Sequence, residues 1–138
     1  MSAFNKFQSF VEALAEKKHN LGADTITVAL TAAANAPVNT NTVLADLTQI
    51  SYTNCSARAI TTTSSAQTSG TYKLVLQDLT LTASGGSVGP FRYVVLYNDT
   101  ATNDELIGWY DYGSEVTLAS GESFLIDFDA TNGVLTLA

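Results

Sequence analysis

One histidine, one cysteine and a few clustered carboxylates are the residues of this chain that could do chemistry. A Ser–His–Asp triad, a Cys–His pair or a zinc site would each depend on His19, whose only companions at helical spacing are Glu12 and Glu16. A surface or helix-capping role is the expectation. Cys55 has no base or metal ligand near it in sequence and reads as a small buried or half-buried thiol; as the single cysteine it also excludes an intramolecular disulfide. Asp127 and Asp129 fall on one face of an extended segment, and Asp104-Glu105 is expected to face Asp111 across a hairpin. Paired carboxylates can hydrolyse glycosides or hold calcium, but exposed acidic turns are far commoner, and 99–105 lacks the glycine and spacing of an EF-hand loop. The glycine-rich stretch 84–90 lacks the lysine of a phosphate loop and precedes a strand. No catalytic, cofactor-binding or metal-binding residue is therefore assigned, and neither an enzyme activity nor a small-molecule substrate is expected.

The aromatic residues are the other candidates. Six of the 13 lie between Pro90 and Gly113: Phe91, Tyr93, Tyr97, Trp109, Tyr110 and Tyr112. Phe91, Tyr93, Val95 and Tyr97 alternate with Arg92, Val94 and Leu96, so this strand is apolar on both faces and belongs in the centre of a sheet. A polar connection, 98–105, leads to a returning strand over 106–112, giving a hairpin with a wet, acidic tip. On that strand Trp109 points opposite to Tyr110 and Tyr112, so only one of these sets can serve as a sugar-stacking platform.

The elements that must position these side chains follow from periodicity. Phe4, Phe7, Phe10, Val11 and Leu14 recur at spacings of three and four and predict an amphipathic helix, with Ser2 as N-cap and an end near Asn20 or Gly22. Its phenylalanine stripe suits a core, or a helix docked on a partner. Residues 24–31 alternate as a half-buried strand, 32–42 read as a loop, and Thr42 caps a helical turn at 43–46. Weaker strand signals cover 57–61, and 71–76 with 79–82 form one bulged strand or two short ones. Strands at 115–118 and 123–128 follow, and Asn132-Gly133 predicts a hairpin into a last strand at 134–137. Val94, Val95, Leu96, Ile126, Phe128, Leu74 and Leu76 are the expected core. The expected fold is mostly β, an antiparallel jelly-roll or related β-sandwich in one domain (1–138), with an N-terminal helix (1–22) before the β region (23–138). An OB-type barrel is the alternative.

Composition narrows the partners. The chain has 138 residues, 46% hydrophobic and only 14% charged, and its surface must be covered largely by Thr, Ser, Asn and Ala. Six basic against 13 acidic residues give a net charge of −7, which repels a phosphate backbone and makes nucleic acid an unsuitable partner. No stretch approaches the ~20 apolar residues of a membrane span, and 1–10 lack the pattern of a signal peptide, so no membrane association is expected and synthesis in the cytoplasm is.

Five strings, FNKFQSFVEALAEKKHNLGADT near the start, SAQTSGTYKLVL at 65–76, SGGSVGPFRYVVLYND at 84–99, LIGWYDYG at 106–113 and the terminal GVLTLA, resemble the cement (decoration) proteins of tailed bacteriophage heads. The resemblance runs over nearly the whole chain and carries no catalytic motif. It implies a jelly-roll on the outer surface of the virion, made in the host cytoplasm, associating as a homodimer and clamping neighbouring major capsid proteins to stabilise the expanded shell. For protein contacts the pattern nominates Phe4, Phe7 and Phe10 on the helix, and Trp109, Tyr110 and Tyr112 on the hairpin. The alternative is a carbohydrate-binding β-sandwich module on a virion surface.

Overall fold

The computed structural model describes residues 2–138. The fold is mostly β and antiparallel, with one α-helix. Its strands are β1 (Asn5–Lys6), β2 (Ile26–Thr31), β3 (Ala59–Ile60), β4 (Thr62–Thr68), β5 (Thr71–Leu76), β6 (Leu79–Thr82), β7 (Val88–Asn98), β8 (Leu106–Leu118), β9 (Ser123–Ile126) and β10 (Leu135–Leu137); the helix, α1, is Ser9–Ala15. One sheet runs β1-β8-β7-β2-β3, a second β10-β5-β4, and β6 pairs with β9.

Side-chain alternation divides the apolar residues of the large sheet between two clusters. Ile26, Val28, Leu30, Val94 and Leu96 pack with Leu74, Leu76, Leu81, Ile126 and Phe128 in the main core, which joins all three sheets. On the opposite face Ala29, Val95, Tyr97 and Leu106 are covered by Phe7, Leu44, Leu47 and Trp109. All seven core residues expected from sequence are buried. The half-buried reading of 24–31 is corrected: every residue of β2 is buried, because the N-terminal segment and the turn at 44–46 cover the face its alternation left open. Phe91 is also corrected. The β7–β8 register shifts on both sides of it, and its ring joins Val94 and Leu96 in the main core instead of siding with Val95 and Tyr97.

The N-terminal helix is shorter than its periodicity suggests. Asn5 and Lys6 are a strand paired with Trp109 and Gly108, and Ser2 caps nothing, since α1 begins only at Ser9. Phe4 and Phe7 are three apart, a spacing that fits one helical face but places them on opposite sides of an extended chain. Phe4 accordingly meets Tyr110 (ring centroids 5.6 Å) and Phe7 meets Trp109 (4.7 Å), on the two sides of β8. The helix ends before Asn20: Lys17 takes the left-handed conformation (φ 69°), Lys18 N–H donates to Ala13 O (2.9 Å) and Lys17 N–H to Leu14 O (3.3 Å), a Schellman closure.

Other boundaries move for similar reasons. The strands expected at 106–112 and 115–118 are one irregular strand, β8. The polar run 62–68, unremarked in sequence because its Thr and Ser alternate with nothing apolar, is β4, paired along its length with β5. The Asn132-Gly133 hairpin does not form, because β10 pairs with β5 and not with β9. Asp129 instead folds that turn, accepting from Thr131 N–H (2.9 Å) and Asn132 N–H (2.8 Å), while Gly133 at φ +79° lets the chain pass the Lys73 side chain and the Leu74 carbonyl.

Gly108 holds the arm in place. A Cβ there would overlap the Phe4 ring and stand 2.7 Å from Asn5 O, so only glycine lets β1 approach β8 this closely. Gly108→Ala is therefore expected to destabilise the fold by about 1–3 kcal/mol in chemical denaturation, and to open 2–8 to protease. An unchanged midpoint and an uncut N-terminus would contradict this close approach.

Candidate interaction surface

The six aromatic residues nominated from sequence do not form one patch. Phe7 and Phe10 are fully enclosed, Tyr110 is 8% exposed, and Phe4 and Trp109 are half-buried. Of the two readings of the phenylalanine stripe, the core one describes Phe7 and Phe10, which are enclosed, while Phe4 packs half-buried on Tyr110; no helical face of the three is left for docking on a partner. Tyr110 is enclosed between Phe4 and Phe128, and burial, with Asp129 adding, pushes its phenol up to about 12.

Tyr112 remains open, 53% exposed, with its ring edge-on to Phe124 (5.0 Å). It forms one lip of a groove of about 430 Å³ whose floor includes Val94, Tyr110 and Phe128. Leu125, 56% exposed, is on the other lip, with Asp127 at one end. Both lips come from strands with an edge unpaired among the described residues: there β9 pairs only with β6, and β8 beyond Trp109 has a strand on one side alone. Leu125 and Phe124 escaped notice in sequence because a short apolar run reads as buried on both faces. The available signal was Asp127, which shares the Leu125 face of the extended run 123–128 and marks that face as open.

A second concavity, about 830 Å³, lies where the end of α1 meets the 99–105 loop. His19 corrects its surface assignment here. It is 5% exposed, because the Schellman turn folds the chain back beneath α1 and stacks the imidazole near Phe10 (5.1 Å). Asn98, fully buried, donates from Nδ2 to Asp24 Oδ2 (2.7 Å) and lies 3.0 Å from His19 Nδ1, while its Oδ1 accepts from Thr100 and Ala101 N–H. Glu105, expected at the wet tip, is buried beside this group.

The remaining carboxylates are dispersed into structural tasks. Asp104-Glu105 does not face Asp111, which lies farther along β8 and forms a two-point ion pair with Arg92 (2.8 and 3.1 Å). Asp127 and Asp129 do not share a strand face, since β9 stops at Ile126. Asp46 accepts from the N–H groups of Thr42 and Val43 and from the Thr42 hydroxyl, so this aspartate closes the turn at 44–46 and corrects the expected Thr42 cap: the N-cap position is Val43, and the Thr42 side chain donates to Asp46. Among the described residues no group of three or more His, Cys, Asp or Glu is arranged to hold a metal ion. Burial pushes the half-buried Cys55 thiol up, which keeps it in the unreactive protonated form. No family model, curated protein or solved structure matches the chain.

Arg92 holds Asp111 below the usual carboxylate range, and backbone N–H donors do the same for Asp129 and Asp46. A depressed folded value means stability that is full above about pH 4 and lost as pH falls through the folded values. Asp129→Ala is expected to lower the neutral-pH melting temperature and to flatten the acid limb of the melting profile; an acid limb identical to that of the unmodified chain would contradict this role.

Proposed function

We propose that this protein is a structural component of a tailed-phage virion that binds the outer surface of the head, pairs with a second copy and clamps neighbouring major capsid proteins. The jelly-roll wrapping implied by the resemblance is part of the proposal. The observation that carries it is the groove between Tyr112 and Leu125: open, lined by apolar side chains together with Ser2 and Asp127, and edged by two strands with free backbone groups, it suits protein contact. A standard interface covers about 800 Å² per partner, and many modest contacts repeated around a closed shell stabilise it without any one being tight. The uncharged, Thr-rich β4 edge and the low share of charged residues agree with a chain that works against other protein.

The carbohydrate-binding reading is favoured by one feature, the exposed Tyr112 ring with Asp127 lining the same groove; Trp109, packed on Phe7 across the sheet, takes no part in it. The two are separated by experiment. The purified protein is expected to be at least dimeric, to bind expanded heads and not free capsid subunits, and to raise the temperature at which heads rupture. A Tyr112→Ser/Leu125→Ser variant should keep its fold and lose head binding. A protein absent from the outside of the particle would overturn the proposal, and glycan-array binding lost in the same variant would transfer it to the carbohydrate module.

A further inference from the structure

We propose that His19 is a pH-sensitive latch: adding a proton at Nδ1 breaks its hydrogen bond with Asn98 and releases 17–24 from the loop between β7 and β8. The inference rests on the geometry around Asn98 and is independent of the proposed function.

The Asn98 amide cannot turn over. Its Oδ1 accepts from Thr100 N–H (3.0 Å) and Ala101 N–H (3.1 Å), and its Nδ2 donates to Asp24 Oδ2 (2.7 Å). A flipped amide would lose both backbone donors and set two oxygens against each other. The second hydrogen on Nδ2 therefore points at His19 Nδ1, 3.0 Å away, and that nitrogen must carry a lone pair. The ring is neutral with its hydrogen on Nε2, where no acceptor among the described residues lies within reach. An imidazolium has a hydrogen on both nitrogens, so Nδ1 meets Asn98 donor to donor, and a ring flip, which puts Cδ2–H in its place, offers no acceptor either.

The charges facing the ring are Asp24 from the following loop and Glu105 at the start of β8, with Lys17 and Lys18 from the end of α1 lining the same concavity. Asp104, beside Glu105, has its carboxyl raised by burial. Burial lowers the His19 pKa and outweighs the upward pull of Glu105 and Asp24. With the folded value below the open one, the latch is fully closed above about pH 6.5, the ordinary histidine value, and weakens as pH falls below it. Once 17–24 is released, water solvates the imidazolium and removes the burial penalty that opposed its charge.

Two measurements test this. Nitrogen chemical shifts of the unmodified protein at neutral pH should show the Nε2–H form of His19. Deuterium uptake, corrected for the intrinsic effect of pH on exchange, should then rise in 17–24 and 99–105 by about tenfold per pH unit below 6.5, with β5 and residues 88–97 of β7 unaffected. His19→Gln, which keeps an acceptor for Asn98 and cannot titrate, should show flat uptake over the same range. An Nδ1–H ring, uptake in the unmodified protein that does not change with pH, or the same rise in His19→Gln would each overturn the latch; the first two need no variant to fold.

Discussion

The double-sided burial of β7 is the constraint on which the rest of this structure depends. Its backbone pairs with β2 along one edge and β8 along the other, and its side chains enter the main core on one face and the smaller Phe7 cluster on the other. A buried strand must have every N–H and C=O paired and both faces dry. A single layer of second-sheet strands can dry only one face, so the N-terminal segment and the 44–47 turn are required to cover the other.

That requirement explains features that are separate in sequence. Phe7 has to reach the far side of β8 while Phe4 stays on the near side, so the chain crosses the edge of the sheet as a strand and α1 starts late. Gly108 makes the crossing possible by leaving room for Phe4 and the Asn5 carbonyl. Past the crossing, the left-handed Lys17 turns the chain inward and carries His19 into contact with the end of β7 at Asn98. The buried polar group there ties the N-terminal segment to the hairpin loop, through hydrogen bonds that are fully used on Asn98 and incomplete on His19.

Periodicity made the central hairpin legible, and with it the mostly β antiparallel class and the seven core residues, because a strand apolar on both faces has one sensible location. Local pattern failed where a distant partner decides the outcome. Residues 4–7 have helical spacing, yet β8 recruits them as a strand. Thr-rich 62–68 has no apolar alternation and is a strand because β5 supplies its pairing. Asn132-Gly133 has the chemistry of a hairpin, but Asp129 captures the turn and β5 captures the strand that follows. Among the site residues, Tyr112 was legible as a surface aromatic, whereas Leu125 was hidden in an apolar run. His19 looked exposed because nothing local signals that Asn98, 79 positions away, encloses it.

Native-state hydrogen exchange measured across denaturant concentrations tests the central role of β7 most directly. If its double-sided burial underlies the fold, the amides of Val94, Val95 and Leu96 exchange only through global unfolding, with the full denaturant dependence of that transition. Those of the edge strands β4 and β9 should open at lower free energy. Exchange of Val94, Val95 and Leu96 through local openings as easy as those of β4 would contradict it.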